Sequence, residues 1–169
     1  MPRSFDMSVE YDVSVEEVHR AFSDKQYWLA RLADTGAAET TLDSLQVDSD
    51  GGVTVTSTLI LSREFLPAIA TQFHAGDMHI QRRETWNPVR DGKAAGTVDC
   101  TIAGAPATMT GKTSLVPGTG TGARMDLHAT VEVRIPLIGG KVETFIGSQL
   151  TNLLIEEQRF TTMWLSDRT

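Results

Sequence analysis

The residues with the strongest potential for chemistry lie in the segment Met78–Trp86, whose two faces differ sharply. His79, Gln81, Arg83 and Thr85 form a wholly polar set, while Met78, Ile80, Arg82, Glu84 and Trp86 form the other. A strand sends successive side chains to opposite faces, so the polar set must look outward and Arg82 and Glu84 turn inward with the apolar residues. Two residues apart on one face, they stand about 7 Å from each other, within mutual reach. A helix near the C-terminus adds Gln149 and Glu157 to the same interior. An ionised group buried alone costs several kcal/mol, so such groups pair with each other or meet water or a ligand. The expectation is that Arg82 lies within salt-bridge or single-water distance of Glu84 or Glu157, forming the polar end of a cavity that orients a ligand head group. Two other readings stay open: a strand end emerging into solvent, and catalysis by the same groups.

Other familiar chemistries find no support. Gly111-Lys112-Thr113 has Pro106 where a phosphate loop needs its first glycine, and it falls inside a strand. Gly118–Gly122 precedes a strand, so it offers no helix N-terminus to a phosphate. His19, His74, His79 and His128 are scattered without metal-ligand spacing, and no serine sits in a nucleophile elbow. The single Cys100 lies on an apolar inward face and excludes an internal disulfide. Neither a cofactor nor a metal is expected.

The 169 residues carry a formal charge of −7, with no Lys/Arg cluster beyond Arg82-Arg83. Binding to nucleic acid or an anionic membrane through charge is therefore excluded as a main role. No apolar run approaches a membrane span and no signal-peptide core opens the chain, so a soluble protein of the reducing cytoplasm is expected. The length suits one domain, 1–169, without linkers or repeats.

The elements that must position these residues are legible from periodicity. Phe5, Met7, Val9 and Tyr11 alternate with polar residues as a half-buried strand. Ser14 and Glu17 form a capping box, with Val13 and Val18 as a hydrophobic staple, so a short helix follows. Ser23-Asp24 offers a cap to a second short helix carrying Tyr27, Trp28, Leu29 and Leu32, with Gly36 as its stop. From residue 38 to 135 the period is two, interrupted by a short helix over Phe65–Phe73 with Pro67 in its first turn. Asp50-Gly51 and Asp91-Gly92 mark hairpins. Short turns between strands make the sheet antiparallel. The chain ends in a helix from Gly139 to Leu165, about 25 residues and roughly 37 Å long. Its expected buried stripe is Phe145, Ile146, Leu150, Leu153, Phe160, Met163 and Trp164, with Gln149 and Glu157 inside it and Glu143, Thr144, Ser148, Thr151, Gln158, Arg159 and Thr162 on the solvent side.

The resulting fold is α+β: a curved antiparallel sheet of seven strands wrapped around the long C-terminal helix, with two short helices after strand one. Trp28, Phe73, Trp86, Phe145, Phe160 and Leu153 are candidates for lining an apolar cavity between that helix, the second short helix and the sheet, with simple core as the alternative. Gly96 and Gly111, small residues on inward faces, are expected to leave it volume.

This element order resembles the helix-grip fold of START-like and birch-pollen-allergen-like proteins, a superfamily that includes polyketide cyclases. The segments Met1–Asp6, Ala21–Trp28 and Val131–Lys141, the last ending Gly139-Gly140-Lys141, are similar to an actinobacterial family of uncharacterised domains within it. The resemblance spans essentially the whole chain and implies a tendency to enclose apolar or lipid-like ligands between helix and sheet. It brings no catalytic residues. Three functions follow as expectations: binding or carrying a hydrophobic small molecule, a cyclase- or aromatase-like enzyme, or an interaction module with a filled core.

Overall fold

The computed structural model describes residues 2–35, 39–61, 77–103, 106–137 and 139–167, except for the side chains of residues 61 and 150. The expected helix over Phe65–Phe73, and Phe73 with it, lies outside the described residues.

The chain opens with strand β1 (Arg3–Tyr11) and the helices α1 (Val15–Phe22) and α2 (Lys25–Ala33). Six strands follow: β2 (Glu39–Val47), β3 (Val53–Leu61), β4 (Met78–Trp86), β5 (Ala94–Ile102), β6 (Ala107–Pro117) and β7 (Ala123–Val133). Helix α3 (Gly139–Ser166) comes last. The strands form one sheet in the order β1-β7-β6-β5-β4-β3-β2, antiparallel throughout.

Local chemistry sets the joints. The Glu17 amide donates to Ser14 Oγ at 3.2 Å and the Gln26 amide to Asp24 Oδ1 at 2.9 Å, capping α1 and α2 as their sequences predict. Asp91 (φ 54°) and Gly92 (φ 73°) are both left-handed, the turn that suits the twist of a two-residue hairpin. At Asp50-Gly51 the turn is wider. Asp48 donates its amide to the Gly52 carbonyl at 2.8 Å, and the loop covers residues 48–52.

The concave face has two regions of core. At one end, α1 and α2 press Val18, Phe22, Tyr27 and Trp28 onto Trp86, Val53, Val55 and Leu115. Here the Phe22 ring stacks on Trp86 at 5.2 Å between centroids. At the other, Val98, Met109, Leu127, Ala129, Val131 and Val133 meet Val142. Helix α3 lies over β1 and β7, at one side of the sheet, and α2 lies over β2 at the other.

The orientation of α3 corrects the expected stripe. Ile146, Phe160 and Trp164 of that stripe do pack against the core, but the residues buried outright are Gly139, Val142, Glu143, Gly147, Leu154 and Thr161, so the helix is turned toward its polar side from the position that apolar residues alone favour. Met163 is 66% exposed, Leu153 38% exposed and Gln149 exposed, whereas Glu143 is fully buried. The reason is polar. Glu143 accepts the Val133 amide at 2.9 Å, just past the end of the β1–β7 ladder at Arg3 and Val131. Gln158 donates to the Glu10 carbonyl at 2.7 Å on β1, an edge strand. Backbone groups left over by the sheet are thus met by polar side chains of the helix, as buried backbone demands.

The two glycines expected to leave space do the opposite. A Cβ on Gly96 would stand 2.1 Å from the Thr85 carbonyl oxygen and 2.8 Å from Thr113 Oγ1, with the Trp86 ring at 3.1 Å. One on Gly111 would meet Leu127 Cδ1 at 2.9 Å. Both glycines permit close approach, and neither opens a void.

Candidate functional site

Strand alternation in β4 turns Arg82 and Glu84 inward, and helical phase brings Glu157 of α3 over them. Arg82 Nη2 stands 2.5 Å from Glu84 Oε1, and Arg82 Nη1 stands 2.7 Å from Glu157 Oε1. A fourth charge completes the group. Arg31, on α2, pairs with Glu157 and reaches Glu84 Oε1 at 3.3 Å. Three elements therefore contribute to one cluster of two guanidinium and two carboxylate groups.

Arg31 escaped the sequence reading because an arginine on a short, capped helix reads as a solvated residue. The available signal was its spacing, one turn after Tyr27 on the same face. In the fold it is 8% exposed and its guanidinium lies 4.7 Å from the centroid of the Trp28 ring. Arg31 Nη1 donates to the Tyr27 hydroxyl at 3.4 Å, and that hydroxyl is 2.6 Å from Thr161 Oγ1. The single Thr161 proton goes to the Glu157 carbonyl at 2.8 Å, so Tyr27 must be the donor to Thr161. A continuous relay of hydrogen bonds thus ties α2 to α3 beside the charges.

The electrostatics follow from this geometry. Burial alone pushes the Glu84 carboxyl up, but Arg82 and Arg31 outweigh it and hold the group below the usual carboxylate range. Burial works to lower the Arg31 value, yet Tyr27 and Glu84 keep it above the ordinary one. Tyr11, facing the same space from β1, is raised by burial and then by Tyr27. Burial also pushes up the Cys100 thiol, to about 11, in spite of neighbouring Arg82.

Seen along β4, the cluster is a boundary. Beyond Glu84 lies the filled aromatic core, where Trp86 and Trp28 are each 3% exposed and Trp28 Nε1 donates to the Phe22 carbonyl at 2.7 Å. Before Arg82 the inward face continues through Ile80, Leu59 on β3, and Cys100 and Ile102 on β5, all only half-buried. Leu153 of α3, which is exposed, lies one turn N-terminal to Glu157 on the same flank of the helix, while half-buried Phe145 stands about 120° around from Glu157. Of the residues expected at a ligand site, Arg82, Glu84 and Glu157 are brought together. Trp28 and Trp86 sit in the core behind them, and Phe145, Gln149 and Leu153 lie on a less buried flank of the helix than expected.

Elsewhere, a shallow depression of about 460 Å³ lies on the outer face of β1, β7 and β6, bordered by Asp6, Ser8, Lys112, Ser114, Asp126 and His128. His128 Nδ1 and Asp6 Oδ1 are 2.7 Å apart there, both largely exposed, as in a solvated ladder on the far side of the sheet from the charged cluster. Among the described residues no group of His, Cys, Asp and Glu has the arrangement of a metal site, and no helix is long and apolar enough to cross a membrane.

The profile of a family described as proteins of unknown function, DUF2505, matches residues 6–165. The chain belongs to the DUF2505 family. The uncharacterised protein Rv0481c of Mycobacterium tuberculosis is 46% identical to this DUF2505 chain, over 99% of each sequence. Among solved structures, a START superfamily protein from Mycobacterium smegmatis matches 98% of it with a TM-score of 0.56 at 13% identity, covering 99% of that chain. The Zhui aromatase/cyclase from Streptomyces sp. R1128 matches 99% of it with a TM-score of 0.64 at 10% identity, covering 96% of that chain. A truncated norcoclaurine synthase from Thalictrum flavum matches 98% with a TM-score of 0.55 at 14% identity, covering 94% of that chain. At such identities these neighbours speak for the fold. It is the START-like helix-grip architecture that the element order of this DUF2505 chain implies.

Proposed function

We propose that the protein binds a hydrophobic small molecule against the half-buried concave stretch formed by Leu59, Ile80, Cys100 and Ile102, with its polar end at Arg82 and Glu157. The observation that carries this reading is the position of the charged cluster. It separates a filled aromatic core from an apolar inward surface whose side chains stay partly accessible. Buried ion pairs seldom add stability over an apolar core of the same volume, so four charges placed at that boundary suit recognition better than folding. The fold neighbours include an aromatase/cyclase and a norcoclaurine synthase, which supports a small organic molecule as the class of occupant.

The enclosed groups beside the site are poorly suited to general acid–base catalysis. Glu84 is held ionised, Arg31 protonated, and Tyr11 and Cys100 protonated. A general acid or base works best with a value near the operating pH, and each of these groups is displaced away from it.

The test is native mass spectrometry of protein purified without detergent, together with titration by the neutral fluorescent probe N-phenyl-1-naphthylamine. A co-purifying small molecule, or saturable binding of one probe per chain, supports the reading. A bare chain mass with no saturable probe binding overturns it.

A further inference from the structure

We infer that the polar end of the bound molecule is an uncharged hydroxyl-type group, and that carboxylates and phosphates are disfavoured. The inference rests on the binding reading above and names the class of ligand for the same site.

The cluster contains Arg31, Arg82, Glu84 and Glu157, two cations against two anions, so it offers no excess positive charge. Both guanidinium groups are already committed. Arg31 serves Glu84 and Glu157, and Arg82 serves the same two carboxylates. An incoming anion would have to shed its water and then stand beside Glu157 without a free counter-charge, which is costly in a poorly solvated site.

Exposure then selects which atoms a ligand meets. The side chains of Arg31 and Glu84 are 9% and 7% exposed, whereas those of Arg82 and Glu157 are 20% and 13% exposed. The ligand-facing edge is therefore the Arg82–Glu157 pair. A guanidinium has five N–H donors. Arg82 uses Nη1 toward Glu157 Oε1, and Nη2 toward Glu157 Oε2 and Glu84 Oε1. Its Nε–H is fully buried and out of a ligand's reach, but Nη1 carries two N–H groups and gives one of them to Glu157 Oε1. Glu157 Oε1 accepts from Arg82 Nη1 and retains lone-pair capacity, as a carboxylate oxygen can take two bonds. A spare donor beside a spare acceptor matches a group that both accepts and donates, as a hydroxyl does. A carboxylate or phosphate dianion can only accept.

The experiment compares two probes of equal chain length, 1-decanol and decanoate, as competitors of N-phenyl-1-naphthylamine at pH 7.5, each below its aggregation limit. The expected result is displacement by 1-decanol at concentrations at least tenfold lower than by decanoate. In Glu157→Gln the site gains a net positive charge, and the preference should shrink or reverse, with folding checked by thermal melting. Arg82→Gln, which moves the charge the other way, should weaken decanoate further. Equal or tighter binding of decanoate by the unsubstituted protein overturns the inference while leaving the binding reading standing. If the naphthylamine probe itself fails to bind, the binding reading falls, and the inference falls with it.

Discussion

At the scale of single residues, the cluster is centred on Arg31. It is the most enclosed of the cations and touches both carboxylates, Tyr27 and the face of Trp28. Arg31→Met would leave Glu84 and Glu157 sharing one guanidinium, and would strip the Tyr27 hydroxyl of a donor. Removing one partner of a buried pair costs about 3–5 kcal/mol, and that is the expected loss in urea denaturation. Arg82→Met should cost less, because the more exposed Arg82 side chain lets water reach the carboxylates it leaves. The reverse ranking in the same assay would show that Arg31 is not the centre of the network.

At the scale of elements, the decisive contact is between the end of β7 and the start of α3. Glu143 is fully buried and accepts the amide of Val133, the last residue of β7, which lies past the final β1–β7 pair, Arg3 with Val131. Glu143→Leu removes the acceptor and orphans a buried backbone donor, at about 1–3 kcal/mol. Glu143→Gln keeps a carbonyl in place and should lose appreciably less. Native-state hydrogen exchange provides the local readout: the Val133 amide should exchange faster in the leucine variant and stay protected in the glutamine variant. Unchanged protection in both would mean that Glu143 does not hold the start of α3 to the end of β7.

At the scale of the whole molecule, buried titratable groups set the pH range of stability. Glu84 has a depressed value in the fold, so its contribution is complete above the ordinary carboxylate range and is lost as pH falls through it, from about 4.3 downward. Tyr11 and Cys100 are raised, so the neutral forms they favour stabilise the fold below their unfolded values of about 10 and 8.5, and that stability drains away as pH rises past them. Thermal melting should therefore show a plateau between roughly pH 5 and 8, with a loss on each side. Replacing Cys100 by Ala should flatten the first part of the alkaline limb. An alkaline limb unchanged in that variant would show that the thiol is not desolvated as its neighbours imply.

Sequence alone determined the strands, their inward and outward faces, the two caps and the antiparallel order, because each depends on local periodicity or on groups a few residues apart. It also placed Arg82 and Glu84 on the inward face of β4, since alternation needs no knowledge of neighbours. Tertiary structure decided the rest. The rotation of α3 depends on the unpaired groups of β1 and on the Val133 amide, which become neighbours only after the sheet closes beneath the helix. For that reason apolar Leu153 and Met163 look outward while Glu143 and Thr161 are buried. Arg31 reaches Glu84 across 53 residues of sequence and Glu157 across 126. No spacing rule links them; only the packing of α2 against β2 and α3 brings that guanidinium to the two carboxylates.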